Sequence, residues 1–182
     1  MGYGGSKGSI VDTFEAIRAR RSVRAYRPDA VPDEVVRKLL EAARLAPSAM
    51  NAQPWRFIVV TSREKLDTIA RGGRWAGFVS GAPMVIVACG VASLRWHAQD
   101  TCIALENLVL AATAEGLGTC WIGSFNEQEL KRMLKIPDGL RAVALVSVGY
   151  PKESLSPRSV VNRKRISEIA FREEYGNPWV EA

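Results

Sequence analysis

The chain has one histidine, His97, in 182 residues. A Ser–His–Asp mechanism would have to use it, and its neighbours supply no partner for such a triad. The three cysteines, Cys89, Cys102 and Cys120, form no C-x-x-C pair and no metal-ligand spacing with His97. An odd number of thiols in apolar settings argues against a disulfide framework or a zinc site. Reduced, buried thiols of a cytoplasmic protein are expected instead. There is no G-x-x-x-x-G-K-[S/T] phosphate loop and no G-x-S-x-G nucleophile turn. Gly116-x-Gly118 lacks a third glycine in register and follows a helix pattern, so it fails as a dinucleotide-binding turn. The longest apolar run, Thr101 to Ala114, contains Glu106 and Asn107 and is too short to cross a bilayer core of about 30 Å. No internal repeat is present. The start, M-G-Y-G-G-S-K-G-S, has no apolar signal-peptide core, and residues 1–11 are expected to form a flexible arm. If the protein is an enzyme, a bound cofactor is expected to carry the difficult chemistry.

What the chain does have suits a single globular domain over residues 12–182: 47% hydrophobic and 24% charged residues. The formal charge is +6, and it is concentrated. Arg18, Arg20, Arg21, Arg24 and Arg27 crowd one segment, and Arg158, Arg163, Lys164 and Arg165 another. Clusters of this kind meet anionic groups at defined places. Aromatic residues are not interleaved with them and no nucleic-acid motif is present, so a small anionic ligand is favoured over nucleic acid. Arginines at a helix end also complement the helix dipole, but five in ten residues exceed that need.

Strand and helix patterns alternate along the chain. Asp12-x-x-Glu15 resembles a capping box, and Phe14 and Ile17 give the helix behind it one apolar face. Pro32 to Ala46 reads as a helix, with Val36, Leu39, Leu40 and Ala43 on one side. Pro47 to Trp55, P-S-A-M-N-A-Q-P-W, reads as a rigid connection lined by Ser48, Asn51 and Gln53. Phe57–Val60 is a strand expected to be buried on both faces. A short helix opening at Thr61-x-x-Glu64 runs to about Ala70, and Met84–Cys89 and Arg141–Val148 are further strands. Thr101–Ala114 has no polar stripe, which predicts a central helix wrapped by protein on all sides. Gly116 and Gly118 end it, and Thr119–Gly123 is extended. Asn126 caps a helix over Glu127–Lys135. Arg71–Gly81, glycine-rich with Trp75 and Phe78, supports no assignment, and the tail from Lys152 is polar and basic with late aromatics.

Four stretches combine: R-R-S-V-R-A-Y at 20–26, P-S-A-M-N-A-Q-P-W at 47–55, G-L-G-T-C-W-I-G at 116–123 behind the apolar helix, and N-R-K-R-I-S-E-I at 162–169. In this order and spacing the chain resembles the nitroreductase family of FMN-dependent oxidoreductases. The resemblance implies an α+β fold with a central, mostly antiparallel sheet flanked by helices. It implies an intertwined homodimer with FMN at the subunit interface, NAD(P)H as electron donor and a small-molecule acceptor, with neither nucleic acid nor membrane as partner. By that resemblance Arg20, Arg21, Ser22 and Arg24 lie beside the flavin of one subunit. Pro47, Ser48, Ala49, Met50 and Asn51 come from the other, with Gln53 close by. Trp121, Ile122 and Gly123 flank the ring, the last two through backbone groups near N5, and Arg163 and Arg165 complete the phosphate site.

Arginine suits both a dianionic phosphate and the negative charge on a reduced flavin, and no side-chain acid or base is then required. The implied reaction is ping-pong hydride transfer to an electron-poor acceptor such as a nitroaromatic or a quinone. Reductive dehalogenation, flavin breakdown and ring dehydrogenation on the same scaffold are alternatives, as is a non-catalytic FMN-binding protein. Gly90–Gln99 leaves little room for the helical excursion that larger relatives carry there.

Overall fold

The computed structural model describes residues 12–153 and 163–179. The expected arm at residues 1–11 lies outside them. The described helices are α1 (Thr13–Ala19), α2 (Asp33–Arg44), α3 (Arg63–Gly72), α4 (His97–Ala114), α5 (Glu127–Leu134) and α6 (Ile166–Ile169). The strands are β1 (Trp55–Val60), β2 (Met84–Val91), β3 (Gly118–Ile122) and β4 (Leu140–Gly149). They form one sheet in the order β1-β2-β4-β3, and every pairing is antiparallel. This is the α+β architecture expected.

β2 has no polar side chain, and both of its faces are used. Met84, Ile86 and Ala88 point into a core with Leu39 and Ala43 of α2 and Leu105, Leu108 and Val109 of α4. Val85, Val87 and Cys89 point the other way, against Leu66 and Ile69 of α3 and Leu130 of α5. β4 divides in the same way, with Val146 and Val148 on the first side and Leu145 on the second. Strict alternation over a pleated strand delivers one residue to each layer in turn. β1 departs from expectation: it is an edge strand, and Phe57 and Ile58 are only half buried while Val59 is exposed. An edge strand has one neighbour, so nothing covers its outer side.

α4 also departs from expectation. Thr101, Ala104, Leu105, Leu108, Val109 and Ala112 are buried, but Ile103 is 44% exposed. Gln99 is exposed and Glu106 and Leu110 are half buried. Residues 99, 103, 106 and 110 share one helical stripe, so one chain leaves a partly apolar stripe of its central helix open. α4 closes as predicted. Gly116 takes a φ of 75°, the Leu117 N–H donates to the Ala112 carbonyl at 2.8 Å, and the Gly116 N–H donates to that of Thr113 at 3.0 Å.

Asp12 caps α1, accepting from the Phe14 N–H at 2.7 Å, but among the described residues it does not form the expected capping box with Glu15. The apolar face of that helix is open, with Phe14 68% exposed. α3 starts at Arg63, two residues after the predicted Thr61. Asn126 caps α5 as expected, accepting from the Glu129 N–H at 3.1 Å. Only residues 92–96 separate β2 from α4, so no helix stands between them. In the tail, Phe171 pairs with Pro178, the Trp179 N–H bonds to the Ala170 carbonyl, and Tyr175 is 92% exposed.

Two predictions follow from this packing. At Gly149 a Cβ would lie 2.5 Å from the Pro83 ring and 3.0 Å from that of Tyr26, whereas at Gly139 it would meet nothing within 4 Å. Gly149→Ala is expected to cost about 1–3 kcal/mol in chemical denaturation, and Gly139→Ala far less. Glu127 joins α5 to β4, accepting from Arg141 Nε at 2.8 Å and Nη2 at 2.9 Å and from the Ala142 N–H at 3.1 Å. The Arg141 hydrogen bond, first, holds its carboxyl below the ordinary value. A depressed folded-state pKa gives stability that is present above the unfolded carboxylate pKa, about 4.3, and lost as pH falls through the folded value. Glu127→Gln should therefore lower the melting temperature at pH 7, and the gap to the parent should close as the pH is taken below about 4.

Candidate functional site

The arginine-rich segment after α1 runs along the β3 edge of the sheet. The Val23 N–H donates to the Thr119 carbonyl at 2.8 Å, the Arg27 N–H to that of Tyr150 at 2.8 Å, and the Lys152 N–H to that of Ala25 at 3.0 Å. Val23 and Tyr26 are buried, so Ser22 and Arg24 are left facing outward. Gly118 makes room for this approach, since a Cβ there would sit 2.7 Å from the Val23 side chain. The Tyr26 hydroxyl donates to the Val23 carbonyl at 2.6 Å and lies 2.7 Å from the fully buried Ser147 hydroxyl. Burial pushes the Tyr26 phenol well above its ordinary value, so it remains neutral.

Arg24 opens onto a cleft of about 190 Å³ shared with Trp75, Phe78, Cys120, Trp121, Ile122, Gly123 and Ser124. Its guanidinium stands 5.9 Å from the centre of the Phe78 ring. The Ile122 side chain is committed to the core, so β3 presents backbone there. At Gly123 a Cβ would meet nothing within 4 Å, so packing inside one chain does not require this glycine. Burial raises the Cys120 thiol above its ordinary value, while Arg24 and a hydrogen bond from Ser22 oppose the shift. Trp75 and Phe78 line this cleft and are not among the residues the sequence marks as candidates. The only signal was aromatic residues in a glycine-rich stretch without periodicity.

The Pro47–Gln53 connection lies before β1, at the opposite edge of the sheet. It is a strained turn. Met50, Asn51 and Gln53 take φ values of 51°, 54° and 46°. Left-handed backbone costs a non-glycine residue roughly 1–2 kcal/mol, less for asparagine. Such strain concentrates at ligand sites and persists where neighbours over-determine it. Ser48 Oγ accepts from the Gln53 N–H at 2.9 Å, and Asp100 Oδ2 accepts from the Ala49 N–H at 3.2 Å. Met50 stands 94% exposed at the tip. Asp100 is the second residue missed: it heads the apolar helix and reads there as an ordinary first-turn acid.

The two groups of expected site residues are therefore separate within one chain. Ser22 pairs with Thr119 of β3 and Arg24 shares the cleft of Trp121–Gly123, with Arg20 and Arg21 just before them at the end of α1, while Pro47–Gln53 adjoin β1. Three strand spacings, roughly 15 Å, lie between the edges. Arg163 and Arg165 occupy the exposed approach to α6, where the Arg165 N–H bonds to Glu168 Oε2 at 2.8 Å, and neither lines the Arg24 cleft. The described residues hold no group of three or more His, Cys, Asp or Glu able to bind a metal. No described helix is long and apolar enough to cross a membrane.

Comparisons with known proteins bear on the family and the fold. The model of the nitroreductase family matches residues 17–75 and 70–150. A Methanothermobacter thermautotrophicus protein, named as a candidate NADH dehydrogenase/NAD(P)H nitroreductase, is 36% identical over 168 residues, covering 88% of each chain. The crystal structure of a nitroreductase family protein from Clostridium novyi NT aligns with a TM-score of 0.75 at 35% identity, over 92% of this chain and 97% of that one. The structure named FMN-dependent nitroreductase from Clostridium difficile R20291 aligns at 0.70 and 31% identity, over 76% and 87%. More distant relatives are named FMN reductase [NAD(P)H] in Bacillus subtilis, iodotyrosine deiodinase in Thermotoga neapolitana and 5,6-dimethylbenzimidazole synthase in Rhodospirillum rubrum, at 27%, 26% and 29% identity. With a family model matched over most of its length and relatives above 30% identity along nearly all of it, the chain belongs to the nitroreductase family.

Proposed function

We propose that the protein is an FMN-dependent NAD(P)H oxidoreductase that acts as a homodimer, by ping-pong kinetics, on an electron-poor acceptor such as a nitroaromatic or a quinone. The observation that carries this reading is the division of the site. One edge of the sheet bears a cationic, aromatic cleft with an unfilled glycine, and the other bears a strained polar loop with an exposed tip. A second copy would bring one against the other. The open stripe of α4 and the bare face of α1 supply apolar surface for that association.

The residues fit FMN. When bound, the cofactor supplies reversible hydride chemistry at its N5. Arg20, Arg21 and Arg24 would set positive charge beside the phosphate and the pyrimidine edge, which would favour the anionic reduced form. Arg163 and Arg165 add to the phosphate site from the tail. Backbone at Ile122 and Gly123 would meet the ring, and Trp75, Phe78 and Trp121 line the cleft that would receive it. Ser48, Asn51 and Gln53 offer hydrogen bonds from the other copy. Relatives named for deiodination and for benzimidazole synthesis mark other reactions on related chains. An anaerobic acceptor profile separates those reactions from reduction of nitroaromatics and quinones. The free cysteines suit the reducing cytoplasm.

The visible spectrum of the purified protein, before and after anaerobic NADH or NADPH, tests the reading. Flavin bands that bleach are expected. A protein that stays colourless after incubation with FMN would defeat it, and bands that no donor bleaches would indicate a carrier. Arg24→Ala is expected to raise the FMN dissociation constant about 10- to 100-fold, the worth of a hydrogen bond to a charged group, as read by flavin fluorescence. The divided site makes a further prediction. Arg24→Ala and Asn51→Ala chains, each weak in FMN binding alone, should regain tight binding when refolded together, because each mixed dimer then holds one intact site.

A further inference from the structure

We infer that Asp100 is the positioning residue of this site, holding the Pro47–Gln53 loop in the shape that meets the second copy's cofactor. The inference rests on the function proposed above. Asp100 is 6% exposed, in the first turn of α4, and its carboxylate accepts from the Ala49 N–H across 51 residues of sequence. The loop's other hydrogen bonds are local. The Asn51 N–H reaches the Ser48 carbonyl, the Ala52 N–H that of Ala49, and the Gln53 N–H the Ser48 hydroxyl. Arg56, just beyond the loop, caps the Gln53 carbonyl from an exposed position. Local bonds close the turn on itself, and its far end is tied to the sheet where the Val91 N–H donates to the Pro54 carbonyl at 3.0 Å. The Asp100 bond adds a tie from the middle of the turn to α4, one residue before Met50, where the left-handed backbone begins.

The position of Asp100 adds a second consequence. A carboxylate in the first turn of a helix is stabilised by the unpaired N–H groups and the positive end of the dipole, so the acceptor is held where it is needed. Asp100 also precedes Ile103 by one turn, and Ile103 lies on the open stripe of α4. Loop and stripe are thereby referenced to the same rigid helix. A loop that must present Ser48 and Asn51 to a cofactor held mainly by another chain needs such a fixed offset, since misplacement of about 1 Å loosens a bound group.

The experiment uses the full-length protein with FMN and compares Asp100→Ala, which removes the acceptor, with Asp100→Asn, which retains one oxygen at the same place. FMN affinity is read by flavin fluorescence, amide exchange at Ala49 by mass spectrometry, and oligomeric mass by light scattering. Asp100→Ala should weaken FMN binding about tenfold and speed Ala49 exchange to a similar degree, with the oligomeric mass unchanged; Asp100→Asn should restore both to within about twofold. Equal FMN affinity in Asp100→Ala and parent, or an asparagine variant as weak as the alanine one, overturns the inference. If Asp100→Ala does not fold, Asp100→Glu serves: its carboxylate sits one methylene too far out, so unchanged exchange at Ala49 together with unchanged affinity overturns it equally. A parent that binds no FMN defeats the proposed function, whereas a parent that binds FMN beside an Asp100→Ala variant that binds it equally well defeats only the role of Asp100.

Discussion

Burial of the two central strands on both faces is the constraint from which the remaining structure follows. Every side chain of β2 from Met84 to Cys89 is used in one of the two cores, as are Ala144, Leu145, Val146 and Val148 of β4, with Ser147 buried against Tyr26. A sheet filled this way has no interior position left for a ligand or a charged group, because either would break close packing. Chemistry is pushed to the edges. β3 and β1 are those edges, and the residues of interest gather at them: the arginine segment and the aromatic cleft beside β3, the strained turn before β1.

Edge placement sets its own requirements. A segment that lies along an edge strand needs a fixed register, or its outward side chains point at random. Here the register comes from small and buried groups rather than from the arginines. Gly118 lets Val23 close on β3, Gly149 lets Tyr26 close on Pro83 and β4, and the Tyr26–Ser147 contact lies between them. The cations are displayed by residues that are themselves buried. On the other edge Asp100 has the corresponding part for the Pro47–Gln53 turn. The two devices differ in chemistry, close packing in one case and a side-chain-to-backbone hydrogen bond in the other.

The sequence made some of this legible and hid the rest for physical reasons. β2, β4 and the end of α4 were readable because burial on both faces leaves an unbroken apolar run and a helix stop needs glycine at positive φ. β1 looked the same in composition, yet its place at the edge is a property of topology, not of Phe57 or Ile58. The apolar circumference of α4 was read as complete wrapping. One chain leaves the Ile103 stripe open, so the composition of the helix reflects more contact than one chain provides. The arginine, Pro47–Gln53 and Gly116–Gly123 motifs were legible as a resemblance, but the sheet-wide gap between them was not. Trp75 and Phe78 reach their cleft through a short helical turn without periodicity. The strain at Met50 and Gln53 had no marker, because neither residue favours left-handed backbone.

The open apolar surfaces and the divided site have one resolution. Alone, the chain exposes Phe14, Ile17, Ile103 and, in its tail, Tyr175 and Trp179, and surface of this kind favours association. In the proposed dimer the same act that covers the α4 stripe carries the loop anchored on that helix toward the cleft of the other copy. A cofactor held between the two would bind the associated form and not the separate chains. By linkage it would then stabilise the association it depends on, in proportion to its concentration over its dissociation constant. Dimerisation and cofactor retention would thus be two readings of one equilibrium, with α4 as the element common to both.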